Sequence, residues 1–189
     1  MLLQTKDLVP DKKKKMSYKK ILAGIFLGLV LGQVLVFSVH KIWIFPYTIS
    51  NDFMEPNVKK GNSIYINRLA NPADLKRGDL VLAKHPENSD LFMIRRVIAV
   101  EGETVEIRNR IVFINGTAYS DKTEKSIQNY WNVKSPVNYT EFSDNDSMKP
   151  LTVKKDELFI LGDNRRIALD SRHFGPLSFE FFAGKITDP

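Results

Sequence analysis

Hydrophobic and polar positions divide this chain into two unlike parts. From Ile21 to Val39 the run ILAGIFLGLVLGQVLVFSV carries no charge over 19 residues, and Gln33 and Ser38 are its only polar side chains. As a helix it would rise about 28 Å, close to the hydrocarbon thickness of a bilayer. Past residue 40 the pattern becomes short apolar runs, several rich in β-branched residues. They predict strands at Ile42–Ile49, Asn62–Asn67, Leu80–Ala83, Phe92–Val100, Thr104–Arg108, Ile111–Ile114 and Leu158–Leu161. Turn signals punctuate them at Lys59-Lys60-Gly61, Arg77-Gly78-Asp79, Glu101-Gly102-Glu103 and Asn115-Gly116, and Asn109-Arg110 predicts a tight hairpin. After the apolar run no segment shows helical periodicity of comparable strength. Residues 117–150 are polar with scattered aromatics (Tyr119, Tyr130, Trp131, Tyr139, Phe142) and predict an irregular insertion. The expected class is all-β, an antiparallel domain behind one N-terminal transmembrane helix.

Charge sharpens the picture. The net +6 sits in residues 1–20, where seven lysines face Asp7 and Asp11, whereas residues 41–189 hold 21 basic and 20 acidic side chains. A nucleic-acid groove therefore lacks compositional support. A polybasic block abutting the apolar run argues for a membrane anchor over a buried globular helix, with the lysines on the cytoplasmic side and the rest outside. The exit Ser38-Val39-His40-Lys41-Ile42-Trp43-Ile44-Phe45 has no Ala-x-Ala pattern, so an uncleaved anchor is expected rather than a signal peptide. Trp43 and Tyr47 suit an interfacial aromatic belt. The resulting domains are a cytoplasmic tail (1–20), an anchor (21–39) in the lipid bilayer and an extracytoplasmic domain (40–189). Gly24, Gly28 and Gly32 share one helix face, a pattern that lets a second copy or a paralogue approach, although glycine is also simply frequent in membrane helices. There is no cysteine, and His40, His85 and His173 are never at ligand spacing, so no metal or cofactor is expected.

Three blocks carry chemistry. The first is Ile49-Ser50-Asn51-Asp52-Phe53-Met54-Glu55-Pro56-Asn57, followed by Lys60-Gly61-Asn62. The second runs from Ile94-Arg95-Arg96-Val97 to Gly102-Glu103-Thr104-Val105. The third is Leu161-Gly162-Asp163-Asn164-Arg165, continuing to Asp170-Ser171-Arg172-His173-Phe174-Gly175. In this order, behind one anchor, they resemble type I signal peptidases of the short Gram-positive kind. The likeness spans the anchor and nearly all of the outer domain except about residues 117–150, and the third block is its most specific part.

The resemblance implies an enzyme that cuts signal peptides from exported proteins with a serine nucleophile and a neutral lysine base. It also locates three departures. The family's serine precedes its Met-x-Pro segment, where this chain has Phe53. Its lysine precedes Arg-Val-Ile, where this chain has Arg95. A serine that orients the lysine is replaced by Ala168. A phenyl ring has no nucleophilic atom, and a guanidinium does not deprotonate in a protein. Asn57 and Asn62 are milder differences.

By the same resemblance Met54 and Pro56 wall a peptide groove, while Asp163, Asn164, Arg165, Asp170, Ser171 and Arg172 form a polar network around it. The expectation is an inert homologue that binds exported polypeptides; some Gram-positive pilus operons encode such dyad-less proteins, which assist pilin assembly. The alternative is an active peptidase with a relocated centre that uses Ser50 with Lys59, Lys60 or Lys84. Its difficulty is reach, because reacting atoms must meet within about 3–3.5 Å. Ser50-Asn51-Asp52 also reads simply as a turn that bonds its own backbone.

Overall fold

The computed structural model describes residues 17–120, 122–132 and 147–187, without the side chains of 39–44, 131 and 132. The chain divides near His40 into two compact units. In the first, α1 (Tyr18–Trp43) extends the predicted apolar helix at both ends. Residues Tyr18–Ser38 are long and apolar enough to cross a membrane, and the window's side chains are open rather than packed. Most of the basic tail and the Trp43 side chain lie outside the described residues.

The second unit is built of antiparallel strands: β1 (Ile44–Thr48), β2 (Ser63–Asn67), β3 (Leu80–His85), β4 (Asn88–Ala99), β5 (Thr104–Arg108), β6 (Ile111–Ile114), β7 (Thr117–Ala118), β8 (Met148–Thr152), β9 (Glu157–Leu161), β10 (Leu177–Ser178) and β11 (Phe182–Ile186). Seven of them form one sheet in the order β1-β2-β11-β3-β4-β9-β10, and four form a second in the order β7-β6-β5-β8. Each predicted strand is present: Thr104–Arg108 and Ile111–Ile114 keep their expected bounds, and the other five shift at one or both ends, Ile42 and Trp43 belonging to α1. Alternation explains the clean ones: β2 buries Ile64 and Ile66 while Ser63 and Tyr65 face out. The predicted hairpin at Asn109-Arg110 joins β5 to β6, both residues having positive φ (49° and 68°), as a two-residue turn of this hand requires.

The polar stretch departs from its expected irregularity. Residues Lys122–Asn132 form α2, β7 lies within 117–150 and β8 begins there; residues 133–146 lie outside the described residues. The helix escaped notice because only a few of its positions are buried, Glu124 and Ile127 among them. Strand β11 escaped because Gly184 interrupts its apolar pattern; a Cβ there would lie 2.6 Å from Ile66 Cγ2 and 2.9 Å from Asn67 O.

Three apolar clusters hold the unit together. Ile98, Val105, Ile107, Val112, Ile114, Val153 and Phe159 fill the space against the smaller sheet. Val81, Ala83, Met93, Val97, Leu158 and Ile160 line one face of the larger sheet. Ile49, Met54, Val58, Ile64, Ile66, Leu82 and Ile94 form the third cluster and anchor the loop between β1 and β2. That loop carries the first block, the second runs from β4 through a turn into β5, and the third starts at the end of β9.

Candidate functional site

The loop after β1 is shaped by its own short polar residues. Asn51 Oδ1 accepts the Phe53 N–H at 3.3 Å, the side-chain-to-backbone turn expected for Ser50-Asn51-Asp52. Met54 then sinks into the apolar cluster at 1 % exposure, which fixes Phe53 beside it. Across from this loop, the segment after β9 grips it by main chain: Asn164 N–H donates to Phe53 O at 3.0 Å, and Asn164 Nδ2 donates to Asp52 O at 3.1 Å. Gly162 is required here. A Cβ on it would stand 2.2 Å from Ala168 Cβ and 3.0 Å from Phe53 O, so Phe53, Gly162 and Ala168 are packed at backbone distance.

Arg95 enters the same centre from β4. Its Cζ lies 5.3 Å from the Phe53 ring centroid, a cation–π contact. Nε and Nη2 both donate to Leu169 O, at 2.9 and 2.6 Å, and Nη1 donates to Ile94 O at 2.6 Å. Burial lowers its pKa to about 10; Asp170 works against that fall and Arg172 adds to it. A group with that pKa is still cationic at neutral pH. Phe53, Arg95 and Ala168, the three departures found in the sequence, thus meet at one place.

A buried ionic frame surrounds them. Arg96 clasps Asp163 in a fork, Nε to Oδ1 at 2.8 Å and Nη2 to Oδ2 at 2.6 Å, and Asn57 Nδ2 adds 2.8 Å to Oδ2. Arg165 donates through Nε to Gly162 O at 2.8 Å and through Nη2 to Glu124 Oε2 at 2.9 Å, with both side chains fully buried. Burial pushes the Glu124 carboxyl up despite Arg165. Asp170 accepts from Arg172 Nε and Nη2 (2.8 and 2.9 Å) and from Gly162 N–H (3.0 Å). Its complete burial alone would raise its pKa, but Arg172, the Gly162 N–H and Arg95 outweigh that and hold it below the usual range. Ser171 Oγ accepts the Ile160 N–H at 3.0 Å, which ties α3 (Ser171–Phe174) to β9. Asp163, Asn164, Arg165, Asp170, Ser171 and Arg172 each make hydrogen bonds within these loops.

Arg96, Asn57 and Glu124 are partners the sequence reading missed. Arg96 had a signal: a charge in an otherwise apolar run must be paired when the strand is buried. Glu124 had none, since it sits in a polar stretch among lysines.

The candidates for a relocated centre are placed differently. Ser50 opens onto a recess shared with Tyr47, Ile49, Asn51, Met54, Phe92 and Ile94, which has about 10 Å³ of open volume, room for one water. Met54 lines this recess; Pro56 does not. Lys59, Lys60 and Lys84 are exposed, and among the described residues no lysine is buried. A lysine base needs desolvation to become neutral near pH 7.

Comparison with known proteins agrees with the motif reading. The family model for signal peptidase, peptidase S26, matches residues 22–188. Signal peptidase I V of Bacillus subtilis (strain 168) is 31 % identical over 165 residues, which covers 86 % of this chain and 95 % of that protein. Signal peptidase IB of Staphylococcus aureus (strain Mu50 / ATCC 700699) is 29 % identical over 176 residues, 89 % of each. A crystal structure of a signal peptidase I from Enterococcus faecalis V583 matches with 32 % identity and a TM-score of 0.47, covering 60 % of this chain and 97 % of that one. This chain belongs to the signal peptidase (peptidase S26) family. Exported polypeptides are the substrate class of that family, and the apolar N-terminal helix fits a single-pass membrane protein.

Proposed function

We propose that this chain is a catalytically inert member of its family, which binds exported polypeptides without cutting them. One observation carries the reading: a phenyl ring and a cationic guanidinium face each other at 5.3 Å where the family's chemistry needs a hydroxyl and a neutral amine. The basic tail holds the N-terminus in the cytoplasm and puts the β domain on the outer side. There an extended polypeptide lies beside β4 and is held by main-chain hydrogen bonds and pocket shape, neither of which needs a nucleophile. A role in assisting pilin assembly follows as a candidate within this class. The open Gly24, Gly28 and Gly32 face, with its groove beside Gly28 and Gly32, supports pairing of anchors with a second copy or a paralogue.

The test pairs two measurements on the full chain in detergent. A fluorophosphonate probe and a pre-protein with an Ala-x-Ala site are expected to remain unlabelled and uncut, while a labelled signal-peptide segment is retained. Ser50 at the recess favours the second reading, an active enzyme with a relocated centre. Labelling that is lost in Ser50→Ala would establish it and overturn inertness.

A further inference from the structure

The edge of β4 has a feature that the loss of the dyad alone does not require. Val97 exchanges main-chain hydrogen bonds with the segment before β3, its N–H donating to Asp79 O and its O accepting from Gly78 N–H, both at 2.8 Å. Arg95 and Met93 stand opposite Val81 and Ala83 in the same ladder. Antiparallel alternation then turns the main-chain groups of Ile94 and Phe92 away from β3, toward the opposite edge. Strand β9 covers that edge only from Arg96 onward, where Arg96 pairs with Leu161. Among the described residues no strand pairs with Asn88–Arg95 on that side, which leaves Ile94 and Phe92 as the positions an added strand would use.

One of these positions is already occupied. Arg95 Nη1 donates to Ile94 O at 2.6 Å, and the rest of the fork donates to Leu169 O across the gap. The guanidinium thus bonds the edge acceptor that an incoming peptide N–H would need and links it to the loop after β9. Lysine has a single nitrogen and cannot span two carbonyls with a planar fork. We propose that Arg95 caps the β4 edge at Ile94, so that an extended polypeptide pairs with this protein only on the Phe92 side and leaves the edge before the former catalytic centre. This rests on the peptide-binding reading above. It adds where the bound chain must stop, and it makes Arg95 a determinant of which peptide segments are held.

The experiment is an amide N-methylation scan of a fluorescein-labelled synthetic signal-peptide segment with an Ala-x-Ala end, read by anisotropy against the full chain in detergent micelles. Wild type, Arg95→Gln and Arg95→Lys are compared, each shown to be folded by near-UV circular dichroism. N-methylation is expected to weaken wild-type binding at the amides that meet Phe92. Both variants are expected to gain one further sensitive amide, toward the Ala-x-Ala end, with unmodified peptide bound about 3- to 10-fold more tightly, the scale of one main-chain hydrogen bond. Binding by the variants but not by wild type would also support the cap, while removing the peptide-binding function proposed above. An identical set of sensitive amides in all three proteins, no sensitive amide in any, or no binding by any would overturn it.

Discussion

Introducing the dyad that the proposed function holds to be absent tests whether the site can support catalysis. The perturbation is Phe53→Ser with Arg95→Lys and Ala168→Ser. Its expected pH profile can be worked from the present site. Burial among these neighbours brings a guanidinium from 12.5 to about 10. The same surroundings acting on a lysine, ordinarily near 10.4, place its amine at about 8. Roughly one molecule in ten would then carry a neutral lysine at pH 7, and roughly nine in ten at pH 9. Cleavage of a pre-protein at Ala-x-Ala should therefore rise about tenfold across that interval and level off above it. The triple variant gives up the fork on Leu169 and Ile94 and the ring that packs on it, so its folding must be verified first. A complete nucleophile and base are worth about 10⁶ in rate in serine hydrolases, so even partial recovery stands far above an uncut baseline. A folded triple variant that cuts nothing at pH 9, or cuts with no rise between pH 7 and 9, would refute both the preserved frame and the assigned desolvation.

Two further outcomes test the frame itself. Gly162→Ala should cost about 1–3 kcal/mol in denaturant unfolding, because its Cβ would meet Ala168 Cβ at 2.2 Å, and Ala168→Gly in the same chain should recover part of that loss; purely additive effects would contradict the packing. Asp170 has a folded pKa below its unfolded one, so its stabilisation is complete above the ordinary carboxylate range and drains as pH falls through the folded value, below about 4. Asp170→Asn should lose about 3–5 kcal/mol at neutral pH together with that acid limb, and an unchanged acid limb in urea titrations would show that Asp170 does not carry it.

Much of this was legible in the residues, for identifiable reasons. Strands such as β2 and β5 announce themselves because one face is buried and the other is not, and the positive-φ hairpin at Asn109-Arg110 follows from its two-residue length between strands. The meeting of Phe53 and Arg95 was legible because the resemblance assigns both positions to one centre. What stayed hidden depended on tertiary partners. Glu124 reads as one more charge in a polar stretch until Arg165, 41 positions away, is seen to bury against it. The capping of Ile94 O by Arg95 could not be read either, since it depends on β9 stopping short of that part of the edge.

The pattern of loss and retention has a physical logic. Phe53 and Arg95, the positions that the resemblance gives to nucleophile and base, satisfy one another: the ring covers the guanidinium, and the guanidinium spends its donors on two carbonyls. A side chain at position 95 without donors would leave Leu169 O and Ile94 O without the partners they have here, a cost of about 1–3 kcal/mol for each. Arginine removes that cost and strengthens the join between β4 and the loop after β9. The frame has no such freedom. Asp163 and Asp170 are buried charges, each matched to a specific arginine and to main-chain or amide donors, so loss of any one partner would strand a charge in the interior. On the proposed reading, a signal-peptidase scaffold holds a self-satisfied Phe53–Arg95 pair in place of a dyad and keeps its fold, whereas the ion pairs around that pair hold the loops in place.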